Sequence, residues 1–446
     1  MSASTDRGRW HIACWSFALV ASAIALWSAC SRAVFNGVDL AAWQNDWSTL
    51  IGCFHSVANG RCEGVSKFPV AYLLNSALLA PEAMRGLRLA LLTTGVLLLP
   101  LLCVLAGAGK AILLRGGAGY LAALALSPLP MFYLYSGALE VQAAVFCGIY
   151  IGTLARFWSD PALDGSLVWL AILWISGLLF PLYKDTIAVF VCVGILMLAT
   201  IYRRRLRELW GNASGRSGLI RLTFHAAIPV LVAMAISALY SQLKYGVPLP
   251  LAYIQESRET TPSLTISAEF LLGSLLSPNG GVLIFWSFPL FVALLCWRLS
   301  GVMPRAPALV VAGSAAALSC LAFARWWAPF GWDSWGDRLM LQPMLSLLVA
   351  MLICQRTAGE TVARRGATAF ARWVCVPVVA CSAYYIAVSY IAPTGQALSA
   401  SLWQGPSCQR MQRAMSTEAV AVGLAFWKTD RYYQCARERM LHIPRI

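Results

Sequence analysis

Apolar runs of about 16 to 22 residues recur from one end of this 446-residue chain to the other, and no other feature limits its fold so strongly. Each is long enough, or nearly so, to carry a helix through roughly 30 Å of hydrocarbon. Inside a bilayer the backbone N–H and C=O groups find no water, so only helices or closed barrels can cross it. The runs do not alternate apolar and polar residues, which removes the barrel. Composition agrees: 59% of residues are hydrophobic and 12% charged, with a mean hydropathy of +0.68, which leaves too little polar surface for a water-soluble domain of this size.

The expected fold is therefore all-α and integral to the membrane, with about eleven transmembrane helices. They are placed at residues 12–30, 87–106, 118–139, 141–157, 166–182, 186–202, 222–244, 281–297, 307–324, 339–355 and 373–391. A net charge of +15 raises nucleic acid as a partner, but the basic residues form no single aromatic-studded patch. They fall in alternate connecting loops: Arg7/Arg9, Lys110/Arg115, Arg203 to Arg221, Arg298/Arg305 and Arg356 to Arg372. Cytoplasmic loops are enriched in Lys and Arg, so this pattern puts the N-terminus in the cytoplasm and the C-terminus on the outer side. The basic segment Met1 to Trp10 leads into a first run without a small-residue cleavage signature, which reads as a retained span. Residues 1–391 make the transmembrane domain, and 392–446 a small periplasmic tail.

Of fourteen cysteines, ten lie in or beside apolar runs, where a thiol is a small packing residue. Cys53, Cys62, Cys408 and Cys435 all fall on the outer side, an even number in two local pairs, which suits disulfides Cys53–Cys62 and Cys408–Cys435.

The inner loops are short and basic, whereas four outer segments are chemically rich. Ser31 to Lys67 carries Asp39, Asp46, His55 and Glu63 and enters residues 68–79, too short to span and read as an interfacial helix. The corner from Tyr133 to Gln142 holds Tyr135 and Glu140. The stretch from Lys244 to Gly281 includes Arg258 and a second amphipathic segment over residues 263–276. Last comes Arg325-Trp326-Trp327-Ala328-Pro329-Phe330-Gly331-Trp332-Asp333-Ser334-Trp335-Gly336-Asp337-Arg338. Guanidinium forks suit phosphate oxygens, indole faces suit sugar rings and carboxylates suit hydroxyls, although an aromatic belt with interfacial charges has the same composition. Tyr183-Lys184-Asp185 adds an ion pair close to the outer interface.

In order along the chain, these outer segments resemble the bacterial polytopic glycosyltransferases of the GT-C superfamily, which includes the protein mannosyltransferase-like enzymes. Asp46-Trp47-Ser48 through Asn59-Gly60 and Phe68-Pro69 looks like the acidic first outer loop of that superfamily, and Tyr135-Ser136-Gly137-Ala138-Leu139-Glu140 like its tyrosine-serine corner. Tyr245-Gly246-Val247-Pro248 is similar to its Tyr-Gly-x-Pro segment, and Ser277-Pro278-Asn279-Gly280-Gly281 to Ser-Pro-Gly-Arg-Gly. Trp332-Asp333-Ser334-Trp335-Gly336-Asp337-Arg338-Leu339 with Pro343 resembles Trp-x-x-x-Gly-Pro-Arg-Tyr-Leu. The chain departs from the pattern at Asn45-Asp46, where two acids are usual, at the missing arginine after Asn279, and at Gly336-Asp337-Arg338.

The resemblance implies transfer of a sugar from a polyprenyl-phosphate-linked donor to a lipid-linked or cell-surface glycan acceptor at the outer face. It makes Asp46 the general base, with Asp39 the runner-up, and implies inversion at the sugar carbon. Arg338 leads the phosphate-binding candidates, followed by Lys184, Arg258 and Arg325. Glu140, Asp333 and Tyr135 are candidates for sugar or acceptor hydroxyls, and Trp332 and Trp335 for stacking. Membrane lipid is the surrounding partner, and no nucleic acid is expected. No Asp-x-Asp pair, Walker loop or His-Glu-x-x-His occurs, so no cofactor is required, while a divalent cation beside the outer carboxylates stays compatible. A transporter or flippase of lipid-linked glycans, or a non-catalytic relative that binds them, is the alternative.

Overall fold

The computed structural model describes residues 3–31, 100, 102, 110–127, 139–159, 166–184, 200, 203–248, 261, 263–276, 281–325 and 339–357. Their elements in chain order are α1 (Ala3–Ser31), α2 (Lys110–Ala125), α3 (Leu139–Ser159), α4 (Leu167–Tyr183), α5 (Arg203–Gly211), α6 (Ala213–Tyr245), α7 (Leu264–Leu276), α8 (Val282–Leu299), β1 (Val302–Pro304), α9 (Ala306–Phe323), α10 (Leu341–Ile353) and β2 (Gln355–Thr357). Among the described residues, three stretches are long and apolar enough to cross a membrane: Glu140–Ser159 in α3, Gly215–Gln242 in α6 and Ala306–Phe323 in α9.

Burial gives these three different roles. In α3, 83% of the most apolar 18-residue window is buried by protein, against 22% in α6 and 33% in α9. Thus α3 is a central helix, and α6 and α9 turn apolar side chains outward. All of α10 from Leu341 to Ile353 is buried, as expected of a helix that is apolar all round.

The two central helices meet along small residues. A Cβ added at Gly148 would stand 2.7 Å from Ser346 Cα, and one at Gly152 would stand 3.1 Å from Ala350 Cα. Gly148-x-x-x-Gly152 therefore lets α3 approach the Ser346-x-x-x-Ala350 ridge of α10 at backbone contact, where dispersion acts over many atoms. Polar atoms reinforce the seam: Ser346 Oγ donates to Ala144 O at 3.2 Å, and Cys354 Sγ donates to Gly152 O at 3.1 Å. Residue 346 lies beside 144 and 148 and residue 350 beside 152, so α3 and α10 run parallel.

Helix α4 returns antiparallel along α3. Phe146 meets Tyr183 with ring centroids 5.6 Å apart, Tyr150 meets Phe180 at 5.2 Å, and the Arg156 guanidinium lies 5.1 Å from the Trp169 ring. Helix α6 runs parallel to α4, linked by a bond from Trp174 Nε1 to His225 Nδ1 of 2.9 Å. Pro229 inside α6 lacks the N–H that would bond the His225 carbonyl, and one residue on, the Tyr150 hydroxyl donates to Ala226 O at 2.7 Å. Helix α6 stops at Tyr245 because Gly246 takes the left-handed conformation, φ 73°, and Pro248 follows.

At the other flank, Trp297 Nε1 of α8 donates to Gly116 O of α2 at 2.6 Å. His11 and Trp15 of α1 both reach Leu114 O. Strands β1 and β2 pair antiparallel, Met303 opposite Arg356, and clasp the α8–α9 connection to the end of α10. This gives the bundle two distinct ends. One, the Gln355 end, holds the starts of α2, α4, α6 and α9 and the ends of α3, α8 and α10; the other, the Glu140 end, holds the opposite termini.

Helix α1 begins at Ala3, nine residues before the expected start of the first span, and boundaries differ from expectation in two further places. Helix α2 begins at Lys110 and gives way to a turn at Leu126, whereas the sequence predicts a span over 118–139 with Lys110 and Arg115 in a loop. Within this continuous helix the Gly116 carbonyl accepts from Trp297 Nε1. The predicted loop over residues 203–221 is helical too, interrupted at Asn212 between α5 and α6. Arginine is a good helix former, so a basic run in this setting does not imply a coil.

Candidate functional site

Two charged residues from different helices meet at the Glu140 end. Glu140 lies in the first turn of α3, and Lys184 caps the last turn of α4, its backbone N–H bonded to Phe180 O. The Lys184 ammonium donates to Glu140 Oε1 at 3.1 Å. The carboxylate side chain is only 5% exposed and the ammonium side chain 19%, so the pair sits largely out of water. Each charge also suits its own helix, an anion at an N-terminus and a cation at a C-terminus. Breaking a largely buried ion pair by removing one partner costs about 3–5 kcal/mol.

The sequence points to Asp185 as the neighbour that completes an ion pair with Lys184. Lys184 also bonds Glu140, 44 residues away, while Asp185 lies outside the described residues. Two residues assigned separate tasks, one toward phosphate and one toward sugar hydroxyls, thus form a single unit.

Arg325 joins the same end. It follows α9, whose Cys320 Sγ lies 3.7 Å from Met340 Sδ just before α10, and its Nη1 donates to Ser267 Oγ of α7 at 3.0 Å. The amphipathic segment expected in this region is helical: α7 buries Ser267, Phe270 and Ser274 while leaving Leu264 and Leu272 exposed.

Two further polar groups at this end carry weight that sequence reasoning missed. The Tyr183 hydroxyl, on a residue 1% exposed, and Gln342 Nε2, on a residue 3% exposed, have no hydrogen-bond partner among the described residues. Tyr183 is next to Lys184 and packs on Phe146; Gln342 stands one turn before Ser346, whose hydroxyl reaches both Gln342 O and Ala144 O. Buried donors without partners are costly unless water or a bound hydroxyl satisfies them. Their sequence signal was a polar residue within an apolar run, here a tyrosine and a glutamine that composition counts as ordinary packing.

Of the remaining candidates, Asp39, Asp46, Tyr135, Arg258, Trp332, Asp333, Trp335 and Arg338 lie outside the described residues, as do Cys53, Cys62, Cys408 and Cys435. Leu339 and Met340, which follow Arg338 in sequence, are buried at the Glu140 end. Five of the cysteines assigned to packing, Cys14, Cys147, Cys296, Cys320 and Cys354, are buried, with no disulfide among the described residues.

Basic residues are divided unequally between the ends. Among the described residues, Arg115, Arg156, Arg216, Arg221, Arg298 and Arg305 belong to helix turns or connections of the Gln355 end, while Lys184, Lys244 and Arg325 belong to the Glu140 end. Set against known proteins, the chain matches no family model, no curated protein and no solved structure.

Proposed function

We propose that this chain is an integral-membrane glycosyltransferase that moves a sugar from a polyprenyl-phosphate donor to a glycan or glycolipid acceptor. The observation that carries the reading is the buried Glu140–Lys184 pair at one end of an apolar bundle, an end that also holds the Tyr183 hydroxyl and Gln342 Nε2, both without a partner among the described residues. Cations suit the carrier phosphate, and buried hydroxyl and amide groups suit a sugar ring.

The arginine distribution supports an orientation. Positive charge stays in the cytoplasm, which puts the Gln355 end inside and the Glu140 end at the outer, periplasmic face of a bacterial inner membrane. Eleven crossings remain the count that fits this alternation, with the N-terminus inside and the C-terminus outside.

In the proposed reaction Asp46 takes the proton from the acceptor hydroxyl as its oxygen attacks the anomeric carbon. The bond from that carbon to the phosphate oxygen breaks, and the electron pair leaves with polyprenyl phosphate. Lys184 and Arg338, assisted by Arg258 and Arg325, spread the developing charge, while Glu140 holds the ammonium in place. Asp333, Tyr135, Trp332 and Trp335 orient the sugar and acceptor. No metal is needed in this scheme.

A transporter of lipid-linked glycans is favoured by one observation, a buried ion pair bridging two apolar helices. The pair sits in terminal turns rather than mid-helix, which fits headgroup-depth chemistry better than a path through the bilayer. Transfer from a labelled polyprenyl-phosphate sugar in membranes containing the protein tests the proposal. Asp46→Asn should abolish transfer with expression unchanged; full transfer by that variant, with loss in Asp39→Asn, would move the base to Asp39.

A further inference from the structure

The Gln355 end carries a second polar feature that the proposed transfer chemistry does not use. Residues 203–221 contain six arginines, Arg203, Arg204, Arg205, Arg207, Arg216 and Arg221, against one acid, Glu208. Helix α5 and the opening of α6 fold them into a hairpin broken at Asn212.

One arginine of this hairpin is held in place. Arg216 Nε and Nη2 each donate to Trp210 O at 3.2 Å, and the guanidinium lies 5.4 Å from the Trp210 ring centroid. Packing over the indole and bonding to the carbonyl fix the plane of the fork. Beside it, Arg216, Ser217 and Arg221 line one shallow hollow together with Ala213 and Ile220.

The position of that hollow follows from the length of α6. At 33 residues the helix extends about 50 Å, against roughly 30 Å of hydrocarbon, so turns must project beyond it. Outward-facing apolar residues begin at Ile220 and Phe224 and continue through Leu231 and Leu239. The hollow therefore lies where lipid-facing surface gives way to charge, at headgroup depth. Trp210, 53% exposed, has the amphipathic ring that favours this depth.

We propose that the α5–α6 hairpin is a binding site for the phosphate of an anionic phospholipid in the leaflet facing the Gln355 end, with Arg216 and Arg221 as its ligands and Trp210 as the support that aims Arg216. Guanidinium forks match phosphodiester oxygens, and the net positive charge of the hairpin complements an anionic leaflet. The acyl chains of the same lipid would lie along Ile220 and Phe224. The inference does not depend on the glycosyltransferase reading, since it concerns the opposite end of the bundle.

Native mass spectrometry of the detergent-solubilised protein, incubated with phosphatidylglycerol or phosphatidylcholine, tests it. The expected result is retention of phosphatidylglycerol over phosphatidylcholine, reduced roughly tenfold or more in Arg216→Gln/Arg221→Gln and unchanged in Arg305→Gln at the same end. Arg216→Lys should keep part of the retention, and Trp210→Ala should weaken it with Arg216 intact. Equal retention of the two lipids by the unaltered protein, or by the double variant and the parent, would overturn the site. Displacement of the adduct by millimolar inorganic phosphate would overturn the lipid assignment in favour of a free-phosphate site. Where the double variant fails to fold, Arg216→Lys and Trp210→Ala against Arg305→Gln decide the matter, and retention equal in all three would overturn the site.

Discussion

Lys184 donates to Glu140 Oε1 at 3.1 Å, joining the C-terminus of α4 to the N-terminus of α3 with both side chains mostly buried. Such a pair specifies geometry more than it adds stability, because desolvation offsets much of the attraction. Lys184→Met and Glu140→Gln should each lower the melting temperature in detergent, by an amount equivalent to about 3–5 kcal/mol. The double variant should recover much of that loss, and a double variant as unstable as the sum of the two would show that the residues act separately.

Tyr183 and Gln342 separate stability from function. The Tyr183 hydroxyl and Gln342 Nε2 lack partners among the described residues, so Tyr183→Phe and Gln342→Leu should leave melting unchanged or raise it slightly. If these atoms meet sugar hydroxyls, the same variants lose transfer activity mainly through a higher KM. Loss of stability together with unchanged transfer would mark both residues as structural.

The α3–α10 seam depends on the absence of side chains. A methyl at Gly148 would meet the Ser346 backbone at 2.7 Å, so Gly148→Ala should destabilise the protein by about 1–3 kcal/mol. Gly313 in α9 has nothing within 4 Å of a built Cβ, and Gly313→Ala should be neutral or stabilising by up to about 1 kcal/mol. Thermal unfolding of the two variants side by side gives the comparison, and a Gly148→Ala protein as stable as Gly313→Ala would refute close helix contact.

The Tyr150 hydroxyl ties α3 to α6 beside Pro229. Tyr150→Phe should cost about 1 kcal/mol, the usual net worth of one buried hydrogen bond, and leave lipid retention at the α5–α6 hairpin unaltered. A change in lipid retention without a change in melting would contradict the separation of the two ends.

Much of the helical frame was readable from apolar run length alone. Spans expected at 166–182, 281–297 and 307–324 correspond to α4 (Leu167–Tyr183), α8 (Val282–Leu299) and α9 (Ala306–Phe323). Lys110, Arg115 and Arg203 to Arg221 misled because charge was taken to mean loop, while helix α2 and the α5–α6 hairpin carry their charges at a bundle end. The Gly148–Gly152 spacing was present in the sequence as a small-residue repeat, and only the facing Ser346 ridge gives it meaning. Lys184 shows the deeper limit, since Glu140, a partner from a helix that begins 45 residues earlier, leaves no local signal in the sequence. Glu140, Lys184 and Arg325 were chosen from separate segments and share one end; the acidic first loop and the tryptophan loop fall outside the described residues.

The most direct test of the proposed function places a labelled polyprenyl-phosphate sugar and acceptor-containing membrane extract on one side of oriented proteoliposomes. Formation of a new glycosidic bond with release of polyprenyl phosphate, only when donor faces the Glu140 end, and its loss in Asp46→Asn, is the result this account predicts. Passage of intact labelled lipid to the opposite leaflet without any new glycosidic bond would contradict it and establish the transporter.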